Sequence, residues 1–441
     1  MILSLTKIPS TQELREIIIE LLKKENLDDA CYVDMLNYAL GLFNEQNLKN
    51  RYYGYHNTSH EMIVTYNTLL ASRGKEFHGT VSKEDFKHLF TASLFHDYEP
   101  GKIEDKPHEE SAANFVTQDK KLLNLFKESE IDSHLVASLI LRTSYPWSLK
   151  KSEYEPLILS HFVQSKYAHN KTMQEHYANL GWFMSVADRI GAYALGDFLD
   201  AMELAKKNAH SLGWGSEYII QRSVTYFETL LNEEQEMTDK VMRSIPKSMR
   251  KTFMNNVLGF FKLREKELEV RASIVYDEIK LTTNLEKCEF DDEQANSLFD
   301  IYDELPDPLQ FKKKTFFESL KDPETILITL RLGSNTGEIL GFAKGGPLEG
   351  YGLPDSINDT NYGKSNTVFL EPLALKMGYW GQGGGSQMRQ HFRKIAKEKG
   401  YDFLTSLQLR EVIQRRIERN DSIEFVQQLN PEKLDYYRVI L

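Results

Sequence analysis

The sequence has only two cysteines, Cys31 and Cys288, in 441 residues. They are far apart and do not form a spacing typical of metal ligands or redox pairs, which excludes a disulfide framework and a zinc-thiolate site. So few thiols are typical of a protein from a reducing compartment.

Long apolar runs and an excess of positive charge are also missing. No apolar run approaches the roughly 18–20 residues that span a bilayer, and Met1 to Arg15 lacks a basic stretch followed by an apolar core. The chain carries 54 Lys and Arg against 65 Asp and Glu, a formal charge of −11, which argues against binding nucleic acid or anionic lipid by charge alone. We expect a cytoplasmic protein with no membrane or nucleic-acid partner.

Length and hydrophobic patterning predict more than one domain. A single core stops growing near roughly 250–300 residues, so this length predicts two or three domains. Thr11 to about Leu281 has apolar residues at helical spacing, whereas from about Lys287 helix-like stretches alternate with β-rich runs. We therefore predict a multidomain protein, with an all-α domain over 1–282 and an α/β domain with a mixed sheet over 283–441. The second domain has predicted strands at Thr325–Leu332, Glu338–Ala343, Thr367–Leu375 and Tyr401–Leu409, and predicted helices at Asp291–Glu304, Lys313–Leu320 and Gln387–Lys399.

Three short segments of the helical region carry residues with metal-binding chemistry. His56 and His60 stand at i and i+4, which on a helix places both imidazoles on one face. His96 and Asp97 end an apolar helical run, and Asp188 lies in a later run of small and apolar residues. A buried carboxylate in such surroundings is costly without a cation or another partner. Coordination of a divalent metal is one way to meet that cost.

In the order His, His-Asp, Asp, these residues resemble the HD superfamily of metal-dependent phosphohydrolases. The phrase Tyr55-His56-Asn57-x-x-His60 is similar to that of cyclic-nucleotide phosphodiesterases and of a bacterial HD branch, which also has a Glu-x-Ser-Ala phrase like Glu109–Ala112. The resemblance implies an HD fold over roughly residues 45–200 and hydrolysis of a phosphoester, such as a nucleotide. It implies His60, His96, Asp97 and Asp188 as metal ligands, His56 as proton donor and Glu109 as a further catalytic residue.

Two imidazoles and two carboxylates suit Mn²⁺, Fe²⁺, Mg²⁺ or Zn²⁺. Such a cation activates water and polarises a phosphoryl oxygen, and an unligated histidine beside it can protonate the leaving oxygen. After Asp97 the sequence departs from the phosphodiesterase pattern, because Tyr98–Gly101 replaces the segment that supplies a further histidine. One metal or two therefore remain open, and we interpret His108 as a loop residue.

The second domain has a strand, a glycine-rich turn and a helix in succession. Thr367–Leu375 leads into the turn Gly378–Ser386, and the predicted helix follows at once. The backbone N–H groups and the positive helix end at such a turn form an anion site. The spacing is neither that of the P-loop nor that of a dinucleotide-binding turn.

This turn and the elements around it resemble the GNAT superfamily of acyltransferases. The family turn, Q/R-x-x-G-x-G/A, is in register with Trp380–Gly385, with tryptophan at its first position. The resemblance implies an acetyl-CoA-dependent N-acetyltransferase with Glu371 as the base. Tyr436 and Tyr437 are candidates for protonating the thiolate, and Arg389 lies within reach of the pyrophosphate. Acetyl-CoA would be bound by Gln382, Gly383, Gly384, Gly385 and Ser386.

Two enzyme-like domains in one chain allow three hypotheses. The first is a bifunctional enzyme that hydrolyses a nucleotide-like phosphoester and transfers an acetyl group to an amine. The second is an acyltransferase regulated by an HD domain that binds a nucleotide without hydrolysing it. The third is a catalytically inactive interaction scaffold. The phosphoester and the amine acceptor stay open in all three.

Overall fold

The computed structural model describes residues 8–49, 52–99, 109–287, 290–354, 356–419 and 421–441. The chain divides into two compact units. The first, called the helical unit below, contains the chain up to Leu212 together with Ser223–Gly259. The second, called the sheet unit, contains Gly213–Arg222 and Phe260–Leu441. Cys288 and His108 lie outside the described residues.

The regular structure of the helical unit is helical throughout its described residues, which confirms the predicted all-α region. Two helices, α11 and α13, contribute residues to both units. The helices are α1 Thr11–Lys24, α2 Ala30–Glu45, α3 Thr58–Ser72, α4 Lys83–Phe95, α5 Glu109–Gln118, α6 Lys120–Ser129, α7 Ser133–Leu141, α8 Trp147–Gln164, α9 Lys171–Gly191, α10 Phe198–Ser211, α11 Ser216–Glu228, α12 Gln235–Ser244 and α13 Lys247–Val275.

Polar residues fix where α3 and α4 begin. The Asn57 side chain accepts a hydrogen bond from the backbone N–H of His60 at 3.1 Å, so α3 starts at the residue after Asn57. Ser82 and Asp85 form a reciprocal capping box at the start of α4. The expectation that His56 and His60 share one helix face is wrong, because the cap residue is extended and His56 precedes it.

Helix α3 lies in the interior of the helical unit. It packs against α1, α4 and α9, and most of its side chains are buried. Two of its buried polar side chains form hydrogen bonds to carbonyls of the same helix: Thr65 Oγ1 donates to the Glu61 carbonyl, and Asn67 Nδ2 donates to the Ile63 carbonyl. Since α4 and α9 both pack on α3, residues from three helices can converge on one site.

The sheet unit is built on a mixed sheet with strand order β1-β2-β3-β4-β6-β8-β7, in which β5 also pairs with β3. The β4–β6 pair is parallel and the other pairs are antiparallel. This confirms the predicted mixed α/β class. The strands are β1 Leu281–Leu285, β2 Ile326–Leu332, β3 Ile339–Pro347, β4 Thr367–Leu370, β5 Ala374–Leu375, β6 Phe403–Leu409, β7 Glu424–Leu429 and β8 Leu434–Ile440, and the helices are α14 Asp292–Tyr302, α15 Lys313–Ser319, α16 Gly384–Glu398 and α17 Arg410–Glu418.

Helices cover both faces of this sheet. Along β2, Leu327 packs with Leu298 of α14, whereas its neighbour Ile328 belongs to the cluster that contains Met388 of α16. Side chains of successive strand residues point to opposite faces. Helices α14 and α16 therefore lie on opposite faces of the sheet, and each face has its own core.

The strand predicted at Thr367–Leu375 is interrupted in the middle. β4 pairs Leu370 with Gly345 of β3, and β5 pairs Ala374 with Phe342 of the same strand. Two residues of β3 therefore lie opposite the three residues 371–373. The segment between β4 and β5 thus has one residue more than its partner, as in a β-bulge. Pro372 fits here because it has no N–H for the ladder.

The predicted domain boundary near residue 282 stays a prediction. β1 begins at Leu281, whereas the division between the compact units falls inside α13, between Gly259 and Phe260. In the part of the chain that is described, no helix combines the length and the apolar character needed to cross a membrane.

Candidate functional site

The residues singled out in the helical region meet where α3 and the end of α4 come together. His60 and Glu61 belong to the first turn of α3, and His96 and Asp97 follow α4 directly. Each of these four residues offers a ligand atom, and the four atoms all lie within 4.8 Å of one another. Asp188 of α9 approaches from a third helix, with Oδ1 at 3.6 Å from His60 Nε2.

Asp97 is the centre of this group. Its Oδ2 atom lies 3.1 Å from His60 Nε2, 3.2 Å from His96 Nε2 and 3.6 Å from His56 Nε2. Three imidazoles thus direct the same type of nitrogen towards one carboxylate oxygen. The structure brings together His56 and the four predicted ligands His60, His96, Asp97 and Asp188.

Glu61 is a member of the group that the sequence did not indicate. Its side chain is 1% exposed, and neither carboxylate oxygen has a hydrogen-bond partner among the described residues. Glu61 Oε2 lies 3.1 Å from His96 Nδ1, which hydrogen bonds to the Ser93 carbonyl at 3.0 Å. Since Nδ1 faces Glu61 and that carbonyl, Nε2 is the ring nitrogen of His96 that is directed towards Asp97.

The pKa shifts follow from burying three carboxylates with these histidines. Burial lowers the pKa of His96, but the charges of Asp97 and Glu61 outweigh it and hold that pKa well above its ordinary value. Burial raises the pKa of Glu61 and of Asp188. The pKa of Asp97 is well below its ordinary value, because the charges of His96 and His56 and two hydrogen bonds outweigh its burial.

The donor set fits a divalent cation. Imidazole nitrogens and carboxylate oxygens stand together, and Glu61 Oε1 and Oε2 and Asp188 Oδ1 are buried atoms without a hydrogen-bond partner in the described residues. A cation here would neutralise the negative charge of Asp97 and Glu61, which raises the pKa of His96. Mixed nitrogen and oxygen ligation is compatible with Mn²⁺, Fe²⁺, Zn²⁺ or Mg²⁺.

Glu109, the other residue predicted at this site, is the first residue of α5. Its charge contributes to the raised pKa of Tyr154 on α8, after burial as the largest cause. The ligand-atom group found in the described residues does not include Glu109. Its predicted catalytic role stays a prediction.

The glycine-rich turn of the sheet unit leads directly into α16. Gly381 and Gly383 have φ of 77° and 84°, and Gly383 is the residue before the helix. Gly384, Gly385 and Ser386 form the first turn of α16. Backbone N–H groups in the first turn of a helix have no acceptor within the helix itself. Here the Ser386 N–H donates to the carbonyl of Gly383, the residue before the helix, at 3.1 Å. Of these residues, Gly383, Gly384, Gly385 and Ser386 are predicted to bind the acyl donor.

The first two positions of the helix differ in the space around them. A Cβ atom on Gly384 would lie 2.4 Å from Leu330 Cδ2, so the helix packs closely on β2. A Cβ atom on Gly385 would have no neighbour within 4 Å, so its backbone faces open space. Gln382, the remaining predicted residue, turns its amide back to the Trp380 carbonyl at 3.4 Å.

Glu371 lies in the bulge between β4 and β5, in a buried polar cluster. Its Oε1 atom accepts hydrogen bonds from Lys344 Nζ and from the Tyr351 hydroxyl, the latter at 2.9 Å. Lys344 also donates to Ser319 Oγ at 2.6 Å. Glu371 Oε2 is buried and has no hydrogen-bond partner within the described ranges. The two oxygens of this carboxylate therefore differ, because only Oε1 is held by hydrogen-bond donors among the described residues.

The two tyrosines considered for the thiolate differ in their contacts. The Tyr436 hydroxyl donates to Asp359 Oδ2 at 2.8 Å, and its pKa is raised, chiefly by burial. The Tyr437 hydroxyl accepts a hydrogen bond from Arg416 Nη1. Since successive strand residues alternate, the two hydroxyls lie on opposite faces of the sheet. Arg416 was not indicated by any motif.

Comparison with known proteins identifies the sheet unit in part. Residues 288–416 match the model of the acetyltransferase (GNAT) family. This stretch contains β2 to β6, the glycine-rich turn and most of α17. The C-terminal region is therefore a GNAT-like domain, and its family supports acetyl-CoA binding and acetyltransferase activity. The match does not extend to the helical unit, whose HD type stays a prediction.

Several solved acetyltransferase structures are similar to part of the chain. The IAA acetyltransferase from Bacillus cereus is 12% identical with a TM-score of 0.25, over 37% of this chain and 100% of that chain. The ribosomal-protein-S18-alanine N-acetyltransferase from Escherichia coli is 12% identical with a TM-score of 0.26, over 36% and 94%. A putative acetyltransferase from Acinetobacter baylyi is 13% identical with a TM-score of 0.28, over 37% and 94%. No curated protein matches the chain.

Proposed function

We propose that the sheet unit transfers the acetyl group of acetyl-CoA to an amine, and that the helical unit is a metal-dependent phosphohydrolase. The first activity is supported by the family match of residues 288–416. The observation that carries it is Glu371, a buried carboxylate with one oxygen held by Lys344 and Tyr351 and the other without a partner in the described residues.

In this proposal the turn binds the donor and Glu371 acts as the base. The N–H groups of Gly384 and Gly385, together with the positive end of α16, bind the pyrophosphate of CoA. The amine nitrogen attacks the thioester carbonyl carbon, the C–S bond breaks, and CoA leaves as the thiolate. Glu371 Oε2 takes the proton that the nitrogen loses. Holding amine and thioester together supplies much of the remaining acceleration.

The acyltransferase is tested by incubating the full chain with acetyl-CoA and a panel of amines. The panel contains aliphatic polyamines, aminoglycosides, free amino acids and peptides with free N-termini or lysines. Thiol release is followed photometrically and acetylated products are identified by mass spectrometry. We expect at least one amine to gain an acetyl group with equimolar thiol release. A chain that neither acetylates any amine nor binds acetyl-CoA in calorimetry would overturn the proposal.

The second activity is supported by the group around Asp97. Three imidazole nitrogens lie within 3.6 Å of Asp97 Oδ2, and buried Glu61 has no hydrogen-bond partner among the described residues. A bound divalent cation would supply Lewis-acid polarisation of a phosphoryl oxygen and a lowered pKa for water. We infer that His60, His96, Asp97 and Asp188 hold this cation.

His56 differs from the inferred ligands in its access to solvent. Its side chain is 17% exposed, against 3% for His60 and 2% for His96. A histidine that faces the opening of the site can meet the leaving oxygen of a substrate, whereas a deeply buried one cannot. We therefore assign the role of proton donor to His56, which is not one of the inferred metal ligands.

Metal content and turnover distinguish hydrolysis from nucleotide sensing. Purified chain and Asp97→Ala are loaded with Mn²⁺, and phosphate or nucleoside monophosphate release is measured with nucleotides and cyclic nucleotides. Metal-dependent release by the wild type and its loss in Asp97→Ala are expected. Metal binding without any release would replace the hydrolase by a nucleotide-binding regulatory unit. No metal binding at all would leave the helical unit as an interaction scaffold.

A further inference from the structure

Helix α13 has apolar residues on two of its sides. Its 29 residues run from Lys247 to Val275. On one side Phe253, Phe260 and Val270 are buried, and Val270 packs in the cluster of Met388 on α16. One such apolar stripe is enough to hold a surface helix against its own protein. The apolar residues on the other side therefore need another explanation.

The second stripe, called the seam below, is exposed and follows a heptad repeat. Its seven residues are spaced by four, three, four, three, four and three positions: Met254, Leu258, Phe261, Glu265, Leu268, Ala272 and Val275. This is the spacing of the a and d positions of a coiled coil, maintained over three heptads. Leu258 is 50% exposed, Leu268 49% and Val275 69%. Phe261 is half-buried, and the other members of the seam are exposed.

The seam and the buried stripe lie on opposite sides of the helix. Leu258 stands two residues before Phe260, and Leu268 stands two residues before Val270. Two residues correspond to about 200° around a helix. The seam therefore faces away from the residues with which α13 packs inside the protein, and its leucines stay exposed.

The seam is long enough to be covered by a partner helix. From Met254 to Val275 it extends over roughly 30 Å. A contiguous row of exposed apolar side chains marks an interaction surface. Side chains of one helix fill the spaces of another when both carry the same repeat. A second copy of this chain brings that repeat, so the sequence of the seam itself shows whether two copies fit each other.

Glu265 decides between the two directions in which such helices can pair. It is the only charged residue of the seam. In a parallel pair, equal positions lie beside each other, so two Glu265 carboxylates would face each other and repel. In an antiparallel pair, each a position lies beside a d position of the other helix. Glu265 then lies beside Leu268 of the second copy, and the repulsion is avoided.

The same antiparallel register matches large residues with small ones. It places Phe261 beside Ala272 of the second copy, and Leu258 beside Val275 of the second copy. A parallel pair would instead place phenylalanine beside phenylalanine and alanine beside alanine, which overfills one layer and leaves a gap in another. Facing positions that combine a large and a small residue fill the space evenly.

Charges beside the seam also fit the antiparallel register. Lys262 and Glu269 are exposed and each follows a d position, which places them at the edge of the seam. In this register Lys262 of each copy faces Glu269 of the other, so the interface contains two symmetry-related ion pairs. Arg264 and Arg271 approach each other on the opposite edge. Arg264, however, already donates to Glu267 of its own helix at 3.1 Å, which offsets its charge.

We propose that α13 pairs with α13 of a second copy of this chain in an antiparallel coiled coil. The protein is then a dimer with twofold symmetry, in which each copy presents the same surface to the other. The partner is a second copy because the seam is complementary to itself in packing and in charge. This inference does not depend on either proposed activity.

Sedimentation velocity of the full chain tests the inference over roughly 1–100 µM. We expect a species of twice the 51.2 kDa of one chain. Leu258→Lys and Leu268→Lys should each raise the dissociation constant of the dimer by about tenfold or more, because a charge enters the apolar seam. Leu159→Lys is the matched control, since Leu159 on α8 is 53% exposed. Its dissociation constant should equal that of the wild type.

A charge swap tests the antiparallel register. Lys262→Glu and Glu269→Lys should each weaken the dimer, because each places two like charges opposite each other twice. The double variant, Lys262→Glu with Glu269→Lys, restores opposite charges and should regain most of the wild-type affinity. In a parallel pair these two residues do not face each other, so the double variant would regain nothing.

Three results would overturn the inference. The first is a wild type that stays monomeric over the whole concentration range, which would leave the seam to a different partner. The second is wild-type affinity in both Leu258→Lys and Leu268→Lys. The third is a double charge variant that dimerises no better than Lys262→Glu. Melting temperatures are compared first, and if a lysine variant of the seam fails to fold, the exposed charge variants still decide.

Discussion

His96 Nδ1 lies 3.1 Å from Glu61 Oε2, while His96 Nε2, on the other side of the ring, lies 3.2 Å from Asp97 Oδ2. One imidazole thus connects a carboxylate that the sequence indicated with one that it did not. A carboxylate behind a metal-binding histidine fixes the orientation of the ring and raises its basicity. Glu61 is in that position, whether or not it also binds the cation directly.

Replacing Glu61 by glutamine is therefore expected to weaken metal binding without removing a predicted ligand. Loss of such a partner costs about 10–100-fold in metal affinity. Equilibrium dialysis with Mn²⁺ measures the dissociation constants of wild type, Glu61→Gln and the exposed control Glu236→Gln. Wild-type affinity in Glu61→Gln would show that Glu61 neither binds the metal nor positions His96.

Removing the charge of Glu371 is expected to slow acyl transfer. Glutamine keeps an oxygen for Lys344 and Tyr351 but cannot take the proton of the amine. We expect kcat to fall by about 10²–10⁴, with little change in KM for acetyl-CoA. Because the free amine form increases with pH, the residual rate of Glu371→Gln should rise with pH through the amine's own pKa.

The control for this prediction is Glu338→Gln, an exposed member of an ion pair with Lys376. Its kcat should equal that of the wild type. A Glu371→Gln variant with wild-type kcat and an unchanged pH profile would exclude Glu371 as the base.

Lys344 and Glu371 form a buried ion pair, so their effects on stability should be coupled. Lys344→Met leaves the Glu371 carboxylate buried without its cation, which costs about 3–5 kcal/mol of unfolding free energy. The double variant Lys344→Met with Glu371→Leu should regain most of that loss, because no charge is left buried. Urea unfolding of the wild type, Lys344→Met, Glu371→Leu and the double variant gives the coupling.

An exposed pair provides the comparison for Lys344. Lys376→Met breaks the pair with Glu338 and should change the unfolding free energy by no more than about 1 kcal/mol. Equal effects of Lys344→Met and Lys376→Met, or a double variant no more stable than Lys344→Met, would contradict the coupling.

Gly385 separates packing from ligand binding at the glycine-rich turn. It is helical and a Cβ atom there meets nothing within 4 Å, so Gly385→Ala should fold and gain about 0.4–1 kcal/mol. In the proposed acyltransferase, however, the added methyl group would stand where the donor's pyrophosphate approaches the backbone. We expect the dissociation constant of acetyl-CoA to rise by about tenfold or more.

Gly41→Ala is the matched control, because Gly41 is also a helical glycine with open space around it. Both variants should match or exceed the wild type in melting temperature. Tight binding of acetyl-CoA by Gly385→Ala would move the pyrophosphate away from the start of α16.

His88 should make the helical unit less stable in acid. Burial lowers the pKa of His88 to about 4, and its Nε2 accepts a hydrogen bond from the Asp132 backbone N–H at 3.0 Å. The unfolded chain binds this proton near pH 6.5, whereas the folded chain does not until about pH 4. Its stabilising contribution is therefore complete above pH 6.5 and falls as the pH drops through this window, by about 3 kcal/mol in total.

His88→Gln keeps an acceptor for the Asp132 N–H and cannot titrate. The unfolding free energy of this variant should fall less steeply than that of the wild type between pH 6.5 and pH 4. The exposed His78→Gln should follow the wild type. Parallel pH curves for all three proteins would show that His88 does not contribute.

Much of the architecture could be predicted from periodicity and turn chemistry. The change from helical spacing to alternating elements separates the all-α region from the mixed sheet, and the strand–turn–helix succession predicts a helix at Gln387–Lys399, where α16 runs from Gly384 to Glu398. Strands β1, β7 and β8 were not predicted. β7 and β8 gain their partners only through antiparallel pairing with each other and with β6, which no local pattern reveals.

Site residues that belong to a short sequence motif were predicted, whereas residues that reach the site only through tertiary packing were missed. His60, His96, Asp97 and Asp188 stand in recognisable phrases, and they meet in the structure. Glu61 follows His60 directly, and helical geometry turns successive residues by about 100°. It faces His96 because α3 packs among other helices and most of its described side chains, including that of Glu61, are buried.

The two units share the chain in alternating segments, which has a consequence for how the protein is made. As the polypeptide leaves the ribosome, the helical unit remains incomplete until Gly259 has been synthesised. The segment Gly213–Arg222 cannot pack in the sheet unit until residues from Phe260 onwards have been synthesised. No single cleavage can release either unit whole. A fragment that ends at residue 282 would still contain two segments of the sheet unit, Gly213–Arg222 and residues 260–282, without the rest of that unit. The functions of the two units are therefore best separated by point substitutions in the full chain.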